Sequence, residues 1–159
     1  MSRGLLMTLA FALFVVGAGS SVASADDVAS RVVKDLQGDW QGVDLSLNGT
    51  KAATEDAKAF RLTVKGDDIY FATCKGDCCI ESQRKYKLDA SQSPMWIDLT
   101  SLDGREKGST QLGIFSLNKD ELKLCTASST EASAKRPTEF RTQPRDGRTV
   151  IVLRRVTPK

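Results

Sequence analysis

The sequence contains no histidine. That one absence removes Ser-His-Asp and Cys-His nucleophile pairs, His-bearing zinc and haem sites, and any imidazole pH switch near neutrality. Charge of one sign is lacking too, since 23 Lys+Arg face 20 Asp+Glu for a formal net charge of +3. The signs interleave along the chain, which excludes the basic stripe of a nucleic-acid binder and an acidic tail. No Gly-rich phosphate loop occurs, and no acidic loop has the alternating spacing that calcium needs. Aromatic residues are sparse at 6%. No apolar run reaches the ~20 residues of a membrane-spanning helix.

What is present begins with an address. Arg3 is the single charge in residues 1–25. An apolar run from Leu5 to Val16, broken only by Thr8, leads to Ala23-Ser24-Ala25, small residues at the −3 and −1 positions before Asp26. This is the pattern of a cleaved secretory signal over residues 1–25, and it predicts a secreted or periplasmic protein. The segment has no cysteine, so a lipid-modified cysteine at the cleavage site is excluded. No membrane span is expected in the mature form.

Residues 26–37 read as a short N-terminal helix. Val28, Val32 and Leu36 recur at four-residue steps, with Ala29 and Val33 beside them, and Gly38 is a plausible terminator. From residue 38 to 159 the pattern changes to short strands separated by turn chemistry. The strands expected are Val43–Leu47, Phe60–Val64, Ile69–Cys74, Tyr86–Leu88, Met95–Thr100, Gly113–Leu117, Leu122–Leu124, Glu139–Thr142 and Thr149–Val156. Ala52–Ala59 is either a helical turn or a loop. Eight or nine strands without intervening helices predict one all-β domain, an antiparallel barrel or sandwich.

Several stretches narrow this expectation: Leu36-Gln37-Gly38-Asp39-Trp40, Tyr86-Lys87-Leu88-Asp89, Ile97-Asp98-Leu99-Thr100, Asp103-Gly104 through Lys107-Gly108, Leu112-Gly113-Ile114-Phe115, Leu122-Lys123-Leu124-Cys125, Arg136-Pro137-Thr138-Glu139-Phe140 and Val150-Ile151-Val152-Leu153-Arg154-Arg155. In this order and spacing the chain resembles a family of small uncharacterised lipocalin-like domains abundant in planctomycete bacteria. The resemblance runs from about Leu36 to Val156. It implies a lipocalin-like, up-and-down β-barrel of about eight strands, with no activity attached. Lipocalins also carry Gly-x-Trp on the first strand, as Gly38-Asp39-Trp40 here. The likeness further implies an Arg from the last strand, Arg154 or Arg155, lying across Trp40 to close one end. An eight-stranded barrel has room for side chains or for one small ligand, and the small domain favours filling.

Cys74, Cys78 and Cys79 form a cluster that departs from this family's pattern, whereas Cys125 sits on the shared Leu-Lys-Leu-Cys stretch. In an exported chain four cysteines read as two disulfides. A Cys78–Cys79 bridge is disfavoured by the ~3.8 Å between adjacent Cα atoms. Two pairings remain: Cys74–Cys79 with Cys78–Cys125, or Cys74–Cys78 with Cys79–Cys125. Metal binding by these thiols with Asp77 and Glu81 lacks the usual C-x2-C spacing, so no metal and no cofactor is expected. Asp98, Asp103 and Glu106 are the acidic residues grouped near one turn, and they read as a solvated loop. The functional expectation is an exported, non-catalytic module binding a small apolar ligand in the barrel. The alternatives are a side-chain-filled structural or interaction module meeting an envelope protein, and, less favoured, a carboxylate- or thiol-based enzyme.

Overall fold

A computed structural model describes residues 25–128 and 135–157. The predicted export signal therefore lies, apart from Ala25, outside the described residues. The chain runs α1 (Ala25–Leu36), β1 (Gly38–Leu47), β2 (Thr50–Lys51), α2 (Thr54–Ala59), β3 (Phe60–Lys65) and β4 (Asp68–Lys75). It continues through β5 (Cys78–Asp89), β6 (Met95–Ser101), β7 (Thr110–Asn118), β8 (Glu121–Ala127) and β9 (Arg148–Arg155).

Every pairing is antiparallel. From β3 to β9 each strand pairs with the next in sequence, β1 pairs with β3, and β1 also pairs with β9. The last contact closes the sheet, so eight strands form an up-and-down β-barrel, with β2 only a two-residue extension on β1. The strand series leaves a barrel or a sandwich open; the closed barrel is what the lipocalin-like resemblance implies, and the short helix stands before it.

Period-two alternation sorts the side chains. Leu62 and Val64 of β3, Ile97 and Leu99 of β6, Leu122 and Leu124 of β8, and Ile151 and Leu153 of β9 are buried in one core. The neighbours between them face outward. A second, smaller cluster lies on the outer face, where Ile114, Cys125 and Val150 are opposite one another on β7, β8 and β9. Phe140 packs against this row from the segment that returns to β9.

Two expectations change here. Glu139–Thr142 is not a strand but irregular chain. Every barrel strand already has two partners, so this segment lays Phe140 over the outer apolar row instead of joining the sheet. Helix α1 docks only through its C-terminal end: Leu36 is buried and Val32 packs on the core, while Val28 and Val33 remain exposed.

Where β1 and β3 stop pairing, beyond Gln41–Arg61, α2 packs against β1. Gly42 permits that approach, because a Cβ there would overlap the Ala57 carbonyl oxygen.

Candidate functional site

The two ends of the barrel differ. One end is plugged. Trp40, on β1, is 1% exposed and donates its indole N–H to Leu36 O at 3.0 Å. Arg155 lies across that indole with its guanidinium carbon 4.1 Å from the ring centre. Its Nη1 donates to Gln37 O at 2.7 Å and its Nη2 to Asp35 O, so it also ties down the end of α1. Gly38 leaves room for this, having φ 111° and a Cβ position 3.2 Å from Arg155 Nη1. Of the two arginines considered, Arg155 shares the inward phase of Ile151 and Leu153 and is registered opposite Trp40. Arg154 faces outward and is exposed.

The other end is open. A cavity of about 410 Å³ enters the barrel there, floored by Leu99, Leu124 and Ile151 and walled by Leu45, Phe60 and Phe71. Its upper wall is small and polar: Thr73, Ser82, Thr126 and Thr149 stand where large side chains would fill the interior. The expected filling is thus correct for the plugged half only. Leu47 and Ile80 stand at the mouth, the latter 78% exposed.

Two charged residues line the cavity, Glu81 and Arg84, and Arg84 is the cation. Arg84 follows Ile80 and Ser82 on the inward face of β5, and its side chain is 17% exposed. Nη1 donates to Gln111 Oε1, and the guanidinium carbon is 5.2 Å from the Phe71 ring centre. Nη2 is 3.9 Å from Glu106 Oε2, at the limit of an ion pair. Nε is buried without a hydrogen-bond partner among the described residues. Desolvation pulls the Arg84 pKa below the ordinary arginine value, opposed by the negative charges of Glu106 and then Asp103.

The β4–β5 hairpin carries a disulfide between Cys74 and Cys79, which are directly opposite in the ladder. No bridge joins it to β8, so the expected second disulfide to Cys125 is absent. Cys78 is exposed near the hairpin tip, while Cys125 is buried under the outer cluster and therefore sealed from it. Burial pushes the Cys125 thiol up to about 11, so it stays protonated. With Cys74 and Cys79 oxidised, the three-thiol metal arrangement does not exist. No group of three potential metal ligands occurs among the described residues.

The three acidic residues from the turn do not form one cluster: Asp103 and Glu106 both act on Arg84, while Asp98 stands apart. Asp98 pairs with Arg136 at 2.5 Å, Asp103 accepts the Gln83 backbone N–H at 2.8 Å, and Glu106 faces Arg84. Arg136 also stacks on Trp96, 4.5 Å from its ring centre, and donates to Ile97 O and Gly113 O. It anchors the segment that crosses the outer face.

Sequence reasoning missed the cavity wall. Strand β5 begins at Cys78, eight residues before the Tyr86 start expected for it. In Cys78 to Lys85 only Ile80 supplies an apolar inward residue, because this stretch borders a void instead of packed core. The legible signal was the two-residue phase running back from Leu88 and Tyr86 to Arg84, Ser82 and Ile80.

No family model matches the chain, and no curated protein matches it. Among solved structures the chain is similar to a lipocalin-like protein from Bacteroides uniformis ATCC 8492, at 12% identity and a TM-score of 0.49. The match covers 77% of this chain and 99% of that one.

Proposed function

We propose that this protein is an exported binding module that holds one small, largely apolar ligand in the open half of its barrel. The observation that carries this reading is the cavity of about 410 Å³ with an apolar floor. Its size falls within the range of small-molecule sites, and packed interiors do not normally leave voids of that size. Export is supported by the residue pattern of 1–25 and by the Cys74–Cys79 disulfide, a bond that persists in oxidising compartments. Among the described residues no helix is long and apolar enough to cross a membrane. The reading assigns no reaction.

The test is titration with the neutral fluorescent probe N-phenyl-1-naphthylamine. One probe should bind per chain with blue-shifted emission, and Thr126→Trp, which places an indole in the cavity, should abolish binding while the barrel still folds. Binding that survives Thr126→Trp unchanged, or no binding to the wild-type protein, refutes the reading.

A second reading rests on the exposed Leu47 and Ile80 at the mouth, which suit contact with an envelope protein. It predicts pull-down of a partner that is lost in Ile80→Glu.

A further inference from the structure

We infer that the ligand is a monoanionic amphiphile, its apolar body among Leu45, Phe60, Phe71 and Leu124 and its single negative charge on Arg84. The inference rests on the binding-module reading and specifies the chemistry of its cavity.

A guanidinium placed on an inward strand position loses water and is retained only when other groups replace it. Here the replacement is incomplete. Gln111 takes one N–H, the Phe71 ring covers one side, Glu106 stands at the 3.9 Å limit, and Nε has no partner. An anionic head in the cavity supplies a close, charge-assisted acceptor that Glu106 at 3.9 Å does not, and a carboxylate matches the planar fork of the guanidinium. Placement beside an aromatic ring and an apolar floor strengthens the attraction, because little water remains to screen it.

The same surroundings limit the charge of the ligand. Glu106 and Asp103 already act on Arg84, and among the described residues the cavity lining holds one further acidic residue, Glu81, and no second cation. A dianionic head would meet two or three carboxylates with one guanidinium. A neutral hydroxyl could accept one hydrogen bond from Arg84, but without the added charge assistance of an anionic acceptor. The site therefore selects one negative charge.

The experiment is displacement of bound N-phenyl-1-naphthylamine by dodecanoate, dodecan-1-ol and dodecyltrimethylammonium, each below its micellar concentration. The wild-type protein should bind dodecanoate at least tenfold more tightly than the alcohol, with the cation weakest. Arg84→Met should erase that preference while leaving the alcohol within threefold of its wild-type affinity. Gln111→Glu places a carboxylate against the guanidinium and keeps the side-chain size, so it should do the same if the methionine variant fails to fold. Equal wild-type affinities for dodecanoate and dodecanol overturn the inference, as does an anion preference that survives in either folded variant. If the alcohol binds and only the preference is missing, the cavity reading stands without the anion. If the wild-type protein binds neither the probe nor any of the three, both fall.

Discussion

Arginine 155 should be worth far more to this fold than its neighbour Arginine 154, and the difference can be estimated before it is measured. Arg155→Ala removes a guanidinium lying 4.1 Å from the centre of a buried indole, a geometry worth about 1–2 kcal/mol when partly desolvated. It also removes the donors to Gln37 O and Asp35 O at the end of α1. Water can reach part of that edge, so these bonds add about 1 kcal/mol. The contact to Asp120 adds almost nothing, because that carboxylate is 80% exposed. The expected loss is about 2–3 kcal/mol, a fall in Tm of roughly 6–15 °C for a domain of this size. Arg154→Ala should stay within about 0.5 kcal/mol, as an outward, exposed change. Arg155→Lys should recover less than half, since an ammonium cannot stack flat on the indole while bridging two carbonyls. Urea unfolding with tryptophan fluorescence measures all three variants, and in a Trp96→Phe background the remaining Trp40 signal reports the plugged end. Equal costs for the two alanine variants, or a cost below 0.5 kcal/mol for Arg155→Ala, would refute the reasoning.

The two free thiols should behave differently. At pH 8 an aromatic disulfide reagent should titrate one thiol per native chain, Cys78, and two after denaturation; two fast thiols in the native protein would contradict the burial of Cys125. Because the native Cys125 pKa, about 11, lies above its ordinary value of 9.0, folding favours the protonated thiol. That contribution is complete below pH 9 and is lost as pH rises through 11, amounting to roughly 2–3 kcal/mol. Cys125→Ala should flatten this part of the pH–stability curve relative to wild type, and an unchanged slope would count against it. Replacing Cys74 and Cys79 together by alanine should cost about 2 kcal/mol by the chain-entropy model, since the bridge spans a sequence separation of only 5; a loss near 4 kcal/mol in chemical unfolding would suit a long-range bridge instead. Gly42→Ala should cost about 1–3 kcal/mol or more, because its methyl group meets the Ala57 carbonyl and backbone must move. A thermal melt within 1 °C of wild type would show that α2 gives way freely.

Much of the barrel was legible because its inward residues are apolar at every second position. Phe60–Leu62–Val64, Ile97–Leu99, Leu122–Leu124 and Ile151–Leu153 mark strands by themselves, and Asn48-Gly49 and Gly66-Asp67 mark the turns between them. The same phase, carried two residues beyond Leu153, selects Arg155 over Arg154. The rule failed where the environment changed. The N-terminal half of β5 borders a cavity, so its inward side chains are short or charged and the alternation fades. At 139–142 the residues suit a strand, but no edge is left for them to join.

The sequence by itself determined where most strands lie, the all-β antiparallel class and the exclusion of histidine chemistry, because composition and local periodicity depend only on neighbours along the chain. Tertiary structure alone decided that one end is plugged and the other hollow, that Cys74 pairs with Cys79 while Cys125 is sealed away, and that Arg84 lines the cavity with its Nε unpartnered among the described residues. Each of these depends on how eight strands close around a common axis. Closure brings together residues far apart in the chain, and the space left between them is a property of their summed volumes that no local pattern contains.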